Sequence, residues 1–140
     1  MNTRLKPSTY PCVEITIPIS PGELLDRLVI LEIKSERMTD PAKRANVVAE
    51  WSALAPLAAD ILSENRDVID LKGQLRTVNE TLWEIEDTIR EHERRGDFGP
   101  GFISLARAVY HTNDQRAAIK RAVNDRLGSA IVEEKSYAKY

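Results

Sequence analysis

Apolar residues at Val68, Leu71, Leu75, Val78, Leu82, Ile85 and Ile89 recur at intervals of three and four. That spacing predicts a long helix with a stripe wide enough to pack on neighbouring helices. Gly96 follows the basic pair Arg94 and Arg95 and predicts its end, a glycine C-cap beside cations that suit the negative pole of the helix. Gly73 lies inside it, at a cost of about 1 kcal/mol against alanine. Ahead of this helix, Ser20-Pro21-Gly22-Glu23 reads as a capping box with proline at the first helical position. It opens a helix from Pro21 to Met38 that is apolar nearly all round (Leu24, Leu25, Leu28, Val29, Ile30, Leu31, Ile33) and so should be buried on several sides. Asp26, Arg27 and Lys34 lie elsewhere on its wheel and are expected in solvent. Asp40-Pro41 opens a second helix through Val47, Val48, Trp51, Leu54, Leu57 and Ile61, which Pro56 should kink or split. Residues 65–67 offer a break before the long helix, although the second helix could also run straight on. The loop Gly96 to Gly101 precedes a last helix from Phe102 to Leu127, capped by Gly128, with Phe98 expected as an anchor.

At the N-terminal end the period changes. Val13, Ile15, Ile17 and Ile19 alternate with polar residues and Pro18, a strand pattern that proline confines to an edge. A lone strand is unstable, and Ala130 to Glu133 is the candidate partner. Residues 1–11 carry two prolines and no period, which reads as a flexible tail. The expected architecture is an all-α, antiparallel bundle of about four helices, one domain over residues 12–137. A short extended N-terminal segment would pair with the C-terminal tail.

Composition narrows the classes. With 140 residues, 42% hydrophobic and 30% charged, the chain can bury a core. A net charge of −2, with acids and bases interspersed and no aromatic platform, argues against nucleic acid as a partner. One cysteine, Cys12, excludes an internal disulfide and fits a cytoplasmic location; no signal peptide or membrane span is expected. No Walker loop, dinucleotide turn, Cys/His metal spacing or serine elbow occurs, so no metal or cofactor is expected.

The candidate chemistry lies beside the apolar stripe. Asn79, Trp83, Glu86 and Arg90 form a second stripe about a quarter-turn away, with Asp87 at its margin. On the last helix, Asn113 and Arg116 interrupt the packing face, and on the first Glu32 shares the side of Leu25 and Leu28, where a carboxylate must find a partner. Two readings stay open. In one, the polar groups neutralise one another in a buried network that fixes helix register. Alternatively they line an inter-helix cleft that binds a polar or anionic ligand through Arg90 and Arg116. Glu80, Glu84, Asp87 and Glu91 share another face, read as a solvated acidic side, since apart from Glu23 with Asp26 and the tail pair Glu133-Glu134 nothing supplies a matching acidic pair.

Segments ISPGELLDRLVILEIKSER, LWEIED, LARAVYHTNDQRAAIKRAVNDRLGS and EEKSY resemble a group of small bacterial helical proteins catalogued as a domain of unknown function. The resemblance covers roughly residues 14–137. The LWxxED…R and NDxR elements also resemble parts of a second uncharacterised helical family. In both, an Asn-x-x-Leu-Trp-x-x-Glu-Asp helix precedes an Asn-x-x-Arg helix, matched here by Asn79, Leu82, Trp83, Glu86, Asp87, Arg90, Asn113 and Arg116. The resemblance implies a gene context of cell-surface polysaccharide and glycosyl transfer, and it favours the cleft without implying an activity.

The function expected from these residues is a binding or accessory module holding a small anionic ligand or a partner protein. The alternative is a small all-α enzyme on an anionic metabolite or nucleotide, as in chorismate-mutase-like bundles. There Arg90 and Arg116 would hold the anion and Glu32 or Glu86 would serve as acid or base; a magnesium-dependent nucleotide pyrophosphatase is a variant that would use Glu84 and Asp87. A wide apolar seam also predicts a homodimer.

Overall fold

The computed structural model describes residues 13–140, and the flexible tail expected at 1–11, together with Cys12, lies outside the described residues. Four helices follow in order: α1 (Pro21–Arg37), α2 (Pro41–Glu64), α3 (Arg66–Arg95) and α4 (Pro100–Leu127). The all-α bundle is as the periodicity predicts. Ser20 Oγ caps α1 by accepting from the Glu23 N–H at 3.2 Å. Only this half of the capping box forms, because the Glu23 carboxylate turns to Lys120 and Arg27. Asp40 caps α2 by accepting from the N–H groups of Ala42 and Lys43. Gly96 and Gly128 end α3 and α4 with φ of 66° and 63°, the left-handed region that favours glycine.

Helix α1 is the centre of the molecule and packs on all three others, while α2 and α4 do not touch. Leu25, Leu28, Val29 and Ile33 of α1 meet Ala58 of α2, Val68 and Leu75 of α3 and Val123 of α4 in one core. Each such large side chain contributes about 1.5–3 kcal/mol through burial. Helices α3 and α4 form an antiparallel hairpin across a four-residue loop, Gly96 to Gly99, and Arg126 near the end of α4 pairs with Asp67 at the start of α3.

Several expectations change. No strand forms among the described residues; Val13, Ile15 and Ile17 stand 78%, 79% and 60% exposed. The chain ends are joined by side chains instead of a ladder. Ser20 Oγ donates to Glu133, Asn124 Nδ2 donates to the same carboxylate at 2.8 Å, and the Gly22 N–H donates to Asn124 Oδ1 at 2.8 Å. Pro56 does not divide α2, which stays one helix, since proline removes a single N–H and the helix continues on either side. Among the residues of α2 only Val47 and Ala58 are buried, and Leu57 is 63% exposed, so much of the apolar side expected of this helix faces outward. Phe98 is a weak anchor: it is half-exposed, in an edge-to-face arrangement with Phe102 at 5.2 Å between ring centres.

Candidate functional site

A groove of about 530 Å³ opens between α1, α3 and α4. Its α3 wall carries Asn79, Leu82, Trp83, Glu86, Asp87 and Arg90; α4 supplies Asn113 and Arg116; α1 supplies Ile30, Ile33 and Lys34. The structure therefore brings together Asn79, Trp83, Glu86, Asp87, Arg90, Asn113 and Arg116 and leaves Glu32 out. The 3.6-residue period explains the α3 wall, because positions 79, 83, 86 and 90 fall on one side of a helix whose adjacent side is in the core. Trp83 serves both sides. Its ring packs against the core and lines the groove, and the Arg37 guanidinium lies 5.8 Å from its centre.

Glu32 stands elsewhere, between α1, α2 and α3. It accepts from Lys72 Nζ at 3.0 Å and from Trp51 Nε1 at 3.4 Å, so its partner is a lysine that the stripes did not single out. An acid or base role for Glu32 in this groove has no geometric support, which leaves Glu86 and Asp87 as the groove's carboxylates.

Beneath the groove lies a polar chain that the sequence reading missed. Asp26, placed in solvent by its helical wheel, is 4% exposed, and Asn79 is 6% exposed. Asn79 Nδ2 donates to Asp26 Oδ1 at 2.8 Å and to the Leu75 carbonyl at 2.9 Å. Arg116 Nη1 then donates to Asn79 Oδ1 at 3.4 Å. Lys120 Nζ offsets the buried charge from 3.9 Å, while binding Glu23 Oε2 at 2.5 Å. The result is a guanidinium positioned by a buried amide and a buried carboxylate. The signal was present in LLDRLV: an acid among Leu24, Leu25, Leu28 and Val29, on a helix apolar nearly all round, has little surface left to face.

Electrostatically the groove is mixed. Arg90 pairs with Glu86 at 3.2 Å on an exposed rim. Lys34 and Arg116, both half-buried, form no ion pair among the described residues. Three of the four acids on the acidic face of α3 are paired: Glu80 with Arg76, Glu84 with Arg37 and Glu91 with Arg94. Hydrogen bonds from Arg76 and Arg94 hold the Glu36 and Glu91 carboxyls below their ordinary range. Among the described residues no three His, Cys, Asp or Glu side chains converge as a metal site, and no helix is long and apolar enough to cross a membrane.

The junction of the chain ends is sensitive to acid. The Ser20 hydroxyl bond, aided by Asn124 and Lys120 against the opposing effect of burial, holds the Glu133 carboxyl below its usual 4.5. A carboxyl depressed in the folded state stabilises above its unfolded pKa, and that stability is lost as pH falls through the folded value. Glu133→Gln is therefore expected to lower the melting temperature at neutral pH. The difference from wild type should close as the pH is taken below 4.5. A difference that persists unchanged in acid would mean that the charge of Glu133 contributes nothing.

No curated protein and no solved structure matches the chain. A family model does match, over residues 15–140, and it covers all four helices, the groove and the C-terminal segment: the chain belongs to the family of unknown function DUF6165.

Proposed function

We propose that this protein is a binding module that holds a small anionic ligand in the groove between α1, α3 and α4. The observation that carries the reading is Arg116. It is half-buried, it is oriented through Asn79 by Asp26, and it has no carboxylate partner among the described residues. A guanidinium has five N–H donors in a rigid fork, suited to a carboxylate or phosphate. Lys34 adds a second cation with no ion pair among the described residues, and Trp83, Ile30 and Ile33 offer an apolar wall. Counting Lys34, Arg90 and Arg116 against Glu86 and Asp87 leaves the lining one charge positive.

Thermal shift on wild type and Arg116→Ala, against phosphate, pyrophosphate and anionic metabolites, tests the proposal. A ligand present at a hundred times its Kd stabilises the folded state by about 2.7 kcal/mol. The expected result is a rise in melting temperature for wild type that the variant loses, with the unliganded variant melting close to wild type. If no anion shifts wild type and Arg116→Ala melts far lower, the arginine belongs to a structural network and the proposal fails.

A further inference from the structure

Arg116 also lines a second groove, of about 930 Å³, with a different chemistry. After Gly128 the chain turns back along α4 and is held at three points. Glu133 binds Ser20 and Asn124, Glu134 lies 3.7 Å from Arg121, and the Tyr140 hydroxyl donates to Asp114. Between these anchors Lys135, Tyr137 and Lys139 face Tyr110, Asn113 and Arg116 across the groove. Asn113 and Arg116 line this groove and the first one alike.

We propose that the anionic ligand is a nucleotide whose phosphates lie on Arg116, the cation that both grooves share, and reach Lys135, while its base extends from the first groove against the tyrosines of the second. The proposal rests on the anion-binding reading of Arg116. Aromatic faces and unpaired cations at a fixed separation are what a nucleotide requires, because every base has a π-face and every phosphate a charge. The aromatic end of the lining is Tyr110 and Tyr140, with ring centres 5.3 Å apart, and His111 behind them packs against both at 4.8 and 4.6 Å. Tyr137 is 79% exposed and has no aromatic partner among the described residues, so its face is free to stack. Arg116 lies six residues beyond Tyr110 on the same helix, roughly 9 Å of axial rise, a span that a mononucleotide bridges from base to terminal phosphate. Lys135 and Lys139, like Arg116, form no ion pair among the described residues. The one acid in the lining, Asp114, is occupied by the Tyr140 hydroxyl, whose pKa it raises.

Titration calorimetry on the full chain with ADP, UDP and pyrophosphate as probes tests this. The expected result is that at least one nucleoside diphosphate binds roughly tenfold or more tightly than pyrophosphate. Tyr110→Ala and Tyr137→Ala should each weaken the nucleotide by about five- to a hundredfold and leave pyrophosphate unchanged, whereas Arg116→Ala weakens both. Tyr137 is exposed, so its variant separates a lost stack from a lost fold. If pyrophosphate and nucleotides bind alike and the tyrosine variants change nothing, the nucleotide assignment is overturned and the anion site stands. If none of the three binds, both are overturned for phosphate ligands, and carboxylate metabolites alone could sustain the first.

Discussion

Asp26→Ala is expected to destabilise the protein by about 3 kcal/mol, measured by chemical denaturation at neutral pH. The change removes the charged acceptor of a buried hydrogen bond, worth about 1.5–3 kcal/mol, and leaves the donor short of a partner. Here the deprived donor is Asn79 Nδ2, which keeps only the Leu75 carbonyl. It also removes the inner counter-charge of Lys120, although Glu23 retains that lysine. Asp26→Asn, which preserves an acceptor of the same shape, should cost nearer 1 kcal/mol. The pair Asp26→Leu and Asn79→Leu separates structure from recognition. Replacing both partners of a buried polar pair by apolar side chains is often close to neutral. The double variant should therefore recover much of the stability while leaving Arg116 without its support. A double variant that is stable yet holds anions as tightly as wild type would show that the chain from Asp26 to Arg116 plays no part in binding.

Gly22→Ala is expected to cost about 2 kcal/mol, although alanine is the better helix former. A Cβ at position 22 would stand 2.5 Å from the Lys120 carbonyl oxygen and 2.8 Å from Asn124 Oδ1. The nearer atom is backbone and cannot rotate away, so α1 and α4 must separate. Overpacking of this kind costs typically 1–3 kcal/mol. Separation also stretches the 2.8 Å bond from the Gly22 N–H to Asn124, and with it the tie to Glu133. The gain in helix propensity, at most about 1 kcal/mol, does not offset this. Gly73→Ala provides the control of opposite sign. That glycine is exposed within α3 with nothing within 4 Å of a built Cβ, so the substitution should stabilise by about 0.5–1 kcal/mol. Thermal melts of the two variants distinguish the cases, and two shifts of the same sign would refute the close approach of α1 and α4.

The two alanines show how local pattern and tertiary contact divide the explanation. Local sequence was enough to identify both glycines as helical and to price the one at 73. It held no information on what faced the one at 22, because that neighbour is about a hundred residues away in the chain.

By itself the sequence determined the four helices, their caps at Ser20, Asp40, Gly96 and Gly128, and the burial of α1 on several sides. These follow from periodicity and from groups within four residues of each other, which act before any tertiary contact exists. It also determined that Asn79, Trp83, Glu86 and Arg90 share a side of α3, and that Asn113 and Arg116 share one of α4. Only the tertiary structure decided that these two sides face one another. It sent Glu32 to Lys72 instead, and it buried Asp26 beneath the groove. The physical reason is that a helical wheel gives the direction of a side chain about its own axis, while burial depends on where three other helices lie. On a helix apolar nearly all round, the wheel marks no outward side. The C-terminal segment was the least legible part. It has no period of its own, and its path is set by Glu133, Glu134 and Tyr140 reaching Ser20, Asn124, Arg121 and Asp114 across the fold.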